Sequence, residues 1–450
     1  MRHSLGKRVF ERKLNRRDFL WLASAGSVAA ALPVLTGCAV DPVTGEQQIV
    51  LMSEDQEKAV DKQQSPHQFS ADYGVMQDPE VNAYLGEVGR NMAVRSHRPQ
   101  MPYQFQAVNA TYINAYTFPG GSAATTRGIL VEMDNEAELA ALLGHEIGHV
   151  NARHAAERQT RTVLTQAALA GVGVAVSASE YGSYSGLVTS LGGIGAGALL
   201  SHYSRDDERE ADALGMEYMT KAGQNPQGMV GLMDMLRSES KHKPGAIERM
   251  FATHPMSDER YATASQRAGA QYKRHRGRPL NRERYMDSIA RVRRMKPAIQ
   301  ELQKGDTLMN KEDYRAAEPH FEQALRQQPR DYAGLVMMSK CQIGLNNPEK
   351  ARRFADEAKR VYPKEAQAHH VAGVSRLMRH DYSAAYADFK SYERLLPGNP
   401  TTVFLAAVSL EGARDKKGAA KEYYRYLRSV QQGDQAKHAY QQLKNWGYLK

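Results

Sequence analysis

The sequence predicts a mainly α-helical protein, in which an α+β domain with a small edge sheet precedes an α-solenoid of helix pairs. The first observation behind this prediction is a proline-free segment rich in Ala, Leu and Glu at residues 136–154, which favours a helix. The second is a spacing of 34 residues that recurs from about residue 297 onward. The length of 450 residues and the charged fraction of 24% are typical of a globular protein with two or three domains.

The charge of the chain does not argue for a nucleic-acid partner. The chain has 60 Lys and Arg against 50 Asp and Glu, and residues 1–37 hold seven of the basic and two of the acidic residues. The remainder therefore has 53 basic and 48 acidic residues, a net charge of +5. We find no nucleic-acid-binding motif either, so no such partner is expected.

Residues 1–37 have the pattern of an export signal. A basic region is followed by an apolar stretch at residues 21–35, which is shorter than the about 20 residues that a membrane-spanning helix needs. The sequence NRRDFL at residues 15–20 resembles a twin-arginine (Tat) signal. We therefore expect this segment to direct the chain out of the cytoplasm and to be removed.

The signal ends in LTGC, which resembles a bacterial lipobox with Cys38 as the lipidated first residue of the mature chain. Ala39 follows in place of an Asp that would indicate retention at the inner membrane, so we expect an outer-membrane anchor and a periplasmic protein. The lipid would supply the anchor, and no transmembrane helix is then needed. The alternative is an uncleaved N-terminal anchor helix. The other cysteine, Cys341, is expected to be a small buried residue of a helix, and no disulfide is predicted.

The helix predicted at residues 136–154 contains the sequence HEIGH. His145 and His149 are four residues apart and therefore share one face of a helix, where both imidazoles can bind one metal ion. Glu146 lies beside them and can act on a water bound to that ion. The alternative is that these are two ordinary histidines and a surface glutamate, in which case their spacing has arisen by chance.

A catalytic zinc needs a third protein ligand, with the fourth position left for water. The position six residues after His149 is Ala155, which excludes the metzincin arrangement. His154 comes one residue too early and should point off this helix face, as a structural or surface residue.

The acidic segment at residues 204–212 offers the third ligand. Glu208 and Asp212 are four residues apart and share a helix face, so Glu208 is predicted to bind the metal. Asp212 is predicted to hold a ligand histidine or an arginine. Glu210 points roughly the opposite way and is expected to face solvent or form a salt bridge. One Zn²⁺ per chain, bound by His145, His149 and Glu208, with Glu146 as general base, would make the domain a metalloendopeptidase.

These motifs resemble the HtpX and CAAX-prenyl-protease group of gluzincin metallopeptidases. The sequence NAYTFPGG at residues 114–121 is similar to the strand that precedes the catalytic helix in that group. The resemblance also implies that His254, in the sequence FATHP, can cap the zinc and plug the site. An order of lipobox, peptidase and repeats is found in periplasmic lipoproteins of this kind, which implies unfolded or stalled outer-membrane proteins as substrates and the outer-membrane assembly machinery as a partner of the repeats.

The predicted strand near residues 112–118 is expected to have a free edge. An extended substrate could add to it as a further strand along Asn114, Ala115 and Tyr116. Such pairing contacts mainly the substrate backbone, so we expect loose sequence preference and a need for unfolded segments.

The Gly- and Ala-rich stretch at residues 162–200 has apolar runs of about 15 residues, too short to span a membrane. We favour small-residue helices packed on the peptidase domain, with a flap that touches membrane or substrate as the alternative. The basic segment at residues 273–296 is expected to be a solvated linker helix, with contact to anionic lipid or to the peptidase surface as alternatives.

The last third of the chain has the tetratricopeptide repeat (TPR) pattern, in which small and aromatic residues recur before a proline with a period of 34 residues. The alanines allow paired helices to approach closely, and the prolines end the second helix of each pair. The recurring positions are Asp313, Asn347, Asp381 and Asp415, then Ala317, Ala351, Ala385 and Ala419, then Phe321, Phe389 and Tyr423, and finally Pro329, Pro363 and Pro397.

The predicted organisation has five parts: a signal peptide at residues 1–37, a lipidated N-terminal segment at 38–66, a zinc peptidase domain at 67–275, a basic linker at 276–296, and about four TPR units with a capping helix at 297–450. The predicted function is proteolysis in periplasmic and outer-membrane protein quality control. The alternative is a chaperone-like assembly factor whose repeats hold clients and whose proteolysis is secondary.

Overall fold

A computed structural model describes residues 38–170 and 202–449. The predicted signal peptide lies outside these residues, as does most of the Gly- and Ala-rich stretch. Among the described helices, none combines the length and the apolar character needed to cross a bilayer. The elements of the N-terminal domain are β1 (Cys38–Val40), β2 (Gln47–Ile49), α1 (Glu54–Ala71), α2 (Pro79–Ala93), β3 (Gln104–Val108), β4 (Ala115–Thr117), β5 (Ser122–Thr126), α3 (Arg127–Leu130), α4 (Glu136–Asn151), α5 (His154–Ala170), α6 (Arg205–Lys221), α7 (Gln227–His242), α8 (Pro244–Thr253) and α9 (Asp258–Gly269).

A three-stranded sheet with the order β3-β5-β4 lies beside the helices of this domain. β3 and β5 are parallel, and β4 is antiparallel to β5, so β4 is an edge strand as the sequence predicts. The aromatic ring of Phe69 in α1 packs against those of Tyr116 and Phe118, which covers this end of the sheet. α1 runs through residue 66, where the sequence places the start of the peptidase domain, so this boundary would divide a continuous helix.

α4 and α6 pack with their backbones in contact because glycines lie where the helices cross. A Cβ at Gly148 would lie 2.9 Å from the carbonyl oxygen of Ala211, and a Cβ at Gly215 would lie 2.8 Å from the backbone nitrogen of His145. Any larger residue at these positions would push the two helices apart. This close approach brings the histidines of α4 next to the carboxylates of α6.

The basic segment after α9 is not a solvated linker. It forms the helices α10 (Arg282–Ser288) and α11 (Ala290–Arg294), in which Arg282, Arg284, Arg291 and Arg294 are exposed. Tyr285, Ile289 and Val292 are fully buried in the core of the N-terminal domain. Three large apolar residues on one side of the segment therefore outweigh its charge and attach it to the domain.

The described C-terminal residues form successive helix pairs: α12 with α13, α14 with α15, α16 with α17, and α18 with α19, followed by α20. The recurring Asp or Asn immediately precedes the second helix of each pair, and the four recurring alanines are fully buried. The fold class predicted from the sequence is confirmed. The bounds are α12 (Lys296–Met309), α13 (Tyr314–Gln327), α14 (Tyr332–Gly344), α15 (Pro348–Val361), α16 (Gln367–Met378), α17 (Tyr382–Leu395), α18 (Pro400–Gly412), α19 (Lys416–Leu427) and α20 (Asp434–Asn445).

The N-terminal domain and the repeat array share a buried interface. The C-terminal end of α1 packs against the second and third helix pairs, where Ser70 donates a hydrogen bond to Glu365. Gln367 donates to the carbonyl oxygen of Ala71 over 2.9 Å. All these residues except the half-buried Ala71 are buried. The two parts therefore pack through specific polar contacts as well as through apolar area.

Candidate metal centre

The histidine pair lies in the middle of a buried helix. Asn135 caps α4 by accepting a hydrogen bond from the backbone nitrogen of Glu138, and every residue of α4 is buried. His145, Glu146 and His149 are at most 4% exposed. Burial holds the pKa of His149 well below its usual range, so its ring stays neutral, as a metal ligand must.

α6 brings the predicted third ligand to these histidines. Ser204 caps this helix, and its first turn carries Glu208, which has no solvent exposure. A carboxylate oxygen of Glu208 lies 3.3 Å from Nε2 of His149, and the other lies 3.6 Å from Nε2 of His145. The two histidine Nε2 atoms are 3.0 Å apart. The structure therefore brings together all three residues that the sequence predicts as ligands.

The spacing of these atoms fits a bound zinc ion. Bonds of about 2.0–2.2 Å to a tetrahedral zinc place neighbouring ligand atoms about 3.4 Å apart, which is close to the separations found here. Burial alone would raise the pKa of the Glu208 carboxyl, but the neighbouring histidines, His254 foremost, hold it well below its usual range. A charged carboxylate and two imidazole lone pairs around one point favour a divalent cation.

His254 supplies a fourth ligand atom to the same point. It follows α8 directly and is 3% exposed. Its Nδ1 lies 3.0 Å from Glu208 Oε1 and 3.4 Å from His145 Nε2. The ligand atoms of His145, His149, Glu208 and His254 all lie within 4.8 Å of one another. These four side chains could therefore all contribute a donor atom to one metal ion.

Glu146 lies next to this set with an unsatisfied carboxylate. The residue is 1% exposed, and neither carboxylate oxygen has a hydrogen-bond partner among the described residues. Nε2 of His254 lies 3.8 Å from Oε1 of Glu146, which is too long for a hydrogen bond. Burial raises the pKa of Glu146, which brings this group closer to the range of an effective general base.

Asp212 holds one ligand histidine and is itself held by an arginine. Its Oδ1 lies 2.9 Å from Nδ1 of His145. Arg260 in α9 donates two hydrogen bonds of 2.7 Å to the Asp212 carboxylate, and its Nη1 lies 2.6 Å from Glu208. Burial opposes ionisation of Asp212, but the charge of Arg260 outweighs it and lowers the pKa of the carboxyl.

His154 does not point away from the metal centre, in contrast to the prediction from helix spacing. That prediction assumed one continuous helix, whereas α4 ends at Asn151 and α5 begins at His154. Arg153 has a φ of 57° in the turn between them. The turn directs the His154 ring back onto His149, with their Nδ1 atoms 2.8 Å apart. Glu210, predicted to face solvent or to form a salt bridge, is 21% exposed, and its Oε2 lies 3.5 Å from Nε2 of His154.

The residues of the predicted substrate strand are buried. Asn114 and Phe118 exchange backbone hydrogen bonds with the β5 side, so the alternation of an antiparallel pair directs the backbone groups of Ala115 and Thr117 to the opposite side. Within the described residues no further strand pairs there. The side chain of Tyr116 instead donates a hydrogen bond to Asp72.

Cys38 is described only through its backbone, which pairs with Ile49 in the two-stranded sheet. Its lipidation stays a prediction. Cys341 is fully buried in α14.

Two residues at the centre were not predicted from the sequence. Arg260 lies on α9, behind the predicted plug loop, and its only sequence signal is its position six residues after His254. Tyr203 stacks on the ring of His149 with centroids 3.8 Å apart. Neither belongs to a spacing motif, because Arg260 reaches the centre from a separate helix and Tyr203 from the loop before α6.

Comparisons with known proteins agree with this geometry. Residues 72–268 match the profile of peptidase family M48, and residues 308–373 match a tetratricopeptide repeat profile. The beta-barrel assembly-enhancing protease of Yersinia pestis is 31% identical over 205 residues, which cover 45% of this chain and 42% of that protein. Its namesake in Escherichia coli K12 is 28% identical over 198 residues, covering 43% of this chain and 40% of that protein.

Metalloprotease YcaL of Escherichia coli K12 is 27% identical over 250 residues, covering 52% of this chain and 92% of that protein. The match to the two assembly-enhancing proteases spans about two fifths of their length. In all three cases the similarity is to a protein named as a protease. The chain therefore contains a domain of peptidase family M48, and tetratricopeptide repeats follow it.

Proposed function

We propose that this chain is a zinc-dependent endopeptidase that acts in protein quality control at the cell envelope. The observation that carries the proposal is the convergence of four ligand atoms within 4.8 Å, beside a buried Glu146 whose carboxylate has no hydrogen-bond partner among the described residues. A buried, unsatisfied carboxylate is costly for the fold, so its retention next to a metal site favours a catalytic role.

In this proposal His145, His149 and Glu208 hold the zinc. A zinc ion held there would make an attacking water more acidic and would polarise a substrate carbonyl. Glu146 accepts the proton of the attacking water and then gives it to the leaving amine nitrogen. Asp212 and Arg260 keep the His145 ring in the orientation that directs its Nε2 to the zinc.

His254 makes the resting state self-inhibited in this proposal. If zinc is bound, the ring of His254 would contribute a donor where a catalytic site needs a water. Because His254 directly follows α8, a movement of this loop alone would withdraw its ring from the other ligands. Withdrawal of His254 would also clear the space in front of Glu146.

An extended substrate would bind beside β4. The backbone groups of Ala115 and Thr117 face the open side of the sheet and offer donors and acceptors to a further strand. Both residues are buried at rest, so substrate binding requires displacement of the covering segments. This mode of binding suits unfolded segments of many sequences.

The clients and the location follow from the relatives and from the N-terminal motifs. Two relatives are named as beta-barrel assembly-enhancing proteases, so we propose outer-membrane β-barrel proteins that stall during assembly as substrates. The Tat-type signal and the lipobox at Cys38 support a periplasmic protein anchored to the outer membrane. The repeats would then hold clients or the assembly machinery.

A chaperone-like assembly factor is the second candidate. The set of four possible donors favours it, because a resting site in which His254 took the position of the water would be proteolytically silent for most of the time. In this case the repeats would carry the main function, and proteolysis would be occasional.

The Glu146→Gln variant tests the proposal. The amide cannot accept the proton of the attacking water, so casein digestion should fall by about 10²–10⁴-fold. Zinc content, measured by metal analysis of the purified chain, should stay at one ion per chain, because Glu146 is not a ligand. Chelator treatment of the unmodified chain should abolish digestion, and added zinc should restore it.

Glu217→Gln on the outer face of α6 is the matched control and should behave like the unmodified chain. Full digestion by the Glu146→Gln variant would rule out the proposed mechanism. Normal outer-membrane assembly in cells that express this variant in place of the unmodified protein would favour the chaperone-like function.

A further inference from the structure

The ring of His149 makes polar contacts on both of its sides. Its Nε2 faces the other ligand atoms, 3.0 Å from His145 Nε2 and 3.3 Å from Glu208. Its Nδ1, on the opposite side, lies 2.8 Å from Nδ1 of His154. Two ring nitrogens at this distance share a single proton, so one donates and the other accepts.

Metal binding decides which nitrogen carries that proton. His149 must present the lone pair of Nε2 to a metal, so its proton is on Nδ1 and is donated to Nδ1 of His154. Because Nδ1 of His154 accepts this bond, the N–H of its ring is on Nε2. That nitrogen faces two carboxylates, with Oε2 of Glu210 at 3.5 Å and Oδ1 of Asp207 at 3.9 Å. Both carboxylates favour an N–H at this position.

We propose that His154 is the positioning residue for His149: it fixes the tautomer and the ring orientation that zinc binding requires. This inference rests on the proposed zinc site. It assigns different partners to the two ligand histidines, because His145 is held by the carboxylate of Asp212 and His149 by the imidazole of His154. His154 is 1% exposed, so water does not compete for the bond.

The turn that places His154 is held by the N-terminal segment. Arg153, the residue with positive φ, donates hydrogen bonds to Glu57 over 2.9 Å and to the carbonyl oxygen of Met52 over 2.6 Å. Glu57 is fully buried and also binds Arg98. The position of His154 is therefore fixed by contacts outside the metal centre, as a positioning role requires.

A purely structural role is the competing explanation, since the ring of His154 also packs near Tyr203, with centroids 6.1 Å apart. Two variants separate the roles. His154→Phe keeps an aromatic ring but has no acceptor for the Nδ1–H of His149. His154→Asn loses the ring but places a carbonyl oxygen near the position of the histidine Nδ1.

Zinc affinity, measured by competition with a chromogenic chelator, is the main readout. We expect His154→Phe to bind zinc about 10–100-fold more weakly than the unmodified chain, and His154→Asn to stay within about threefold of it. The visible spectrum of the Co²⁺-substituted protein should change in the Phe variant and be retained in the Asn variant. Thermal unfolding without metal verifies that both variants fold.

The matched control is His370→Phe, which replaces a fully buried histidine in the repeat array and should leave zinc affinity unchanged. Equal affinity of His154→Phe and the unmodified chain, or a larger loss in His154→Asn than in His154→Phe, would overturn the inference. An unmodified chain that binds no zinc would instead contradict the proposed function itself.

Discussion

His254 and Glu146 compete for the same small volume next to the metal ligands. Nε2 of His254 lies 3.8 Å from the Glu146 carboxylate, while its Nδ1 faces Glu208 at 3.0 Å. A water poised for attack needs both the fourth ligand position and contact with Glu146. Activity should therefore depend on the fraction of molecules in which His254 has moved away.

His254→Ala should raise proteolysis. The small side chain leaves the fourth position open in every molecule, so the population of the active state increases and digestion of unfolded casein should rise roughly several-fold. Zinc binding should weaken, because one donor is lost. Initial rates of casein digestion at saturating zinc measure the first effect.

His275→Ala, at a half-buried position beyond α9, is the control for the loss of a histidine elsewhere. Unchanged or lower activity of His254→Ala with several unfolded substrates would contradict the role of His254 as a plug.

The sequence predicts those residues of the centre that lie on one helix at a fixed spacing. His145 and His149 follow from their spacing on α4, and Glu208 follows from the same spacing to Asp212 on α6 together with the need of zinc for a third ligand. The contact between His149 and His154 does not, because it depends on a turn that interrupts the predicted helix. Arg260 could not be predicted either, since nothing in its own segment indicates which carboxylates it meets.

At the scale of elements, the metal centre depends on how closely α4 and α6 approach. Gly144 and Gly148 on α4 face Ala211 and Gly215 on α6, with backbone atoms about as close as helices allow. Glu208 lies on the same side of α6, one turn before Ala211. A small separation of the helices would therefore draw this carboxylate away from the histidines.

Gly215→Ala should weaken both the fold and the metal site. The new Cβ would lie 2.8 Å from the backbone nitrogen of His145, so the helices must separate, at a cost of about 1–3 kcal/mol in the free energy of unfolding. Helix propensity alone would favour Ala by about 1 kcal/mol, so a net loss of stability isolates the steric effect. Thermal unfolding of the metal-free protein and chelator competition measure the two consequences.

Gly269→Ala is the matched control, because a Cβ there meets no atom within 4 Å. It should be neutral or slightly stabilising. A Gly215→Ala variant with unchanged stability and zinc affinity would show that close packing of the helices is not what sets the ligand geometry.

The helices of the repeat array follow from the sequence more directly than those of the N-terminal domain. The period of 34 residues places an Asp or Asn before the second helix of each pair and a buried alanine four residues later. The basic helices α10 and α11 were harder to predict, because their many charges conceal three buried apolar residues. These three residues are buried because the two helices pack against the N-terminal domain, and that surface cannot be recognised from the segment's own sequence.

At the scale of the whole molecule, an ion pair joins the N-terminal domain to the repeats. Arg127 directly follows β5, and Asp331 precedes α14. The guanidinium makes two hydrogen bonds to the carboxylate, one of them 3.0 Å long, and the side chains are 2% and 3% exposed. Asp331 also caps α14 by accepting a bond of 2.7 Å from the backbone nitrogen of Gly334.

A double-mutant cycle on this pair tests whether the two parts unfold as one unit. Arg127→Met and Asp331→Asn should each lower the free energy of unfolding by about 3–5 kcal/mol, because each leaves one charge buried without its partner. Asn keeps the helix cap, so the loss reports the ion pair. The double variant should lose less than the sum, because it leaves no buried charge. Urea unfolding, followed by circular dichroism, gives the free energy of unfolding of all four proteins.

Arg209→Met with Glu259→Gln, an exposed pair, is the control and should show no resolvable coupling. Additive losses at Arg127 and Asp331, or two separate transitions in the unmodified chain, would show that the repeats are attached without being coupled to the metal-binding domain.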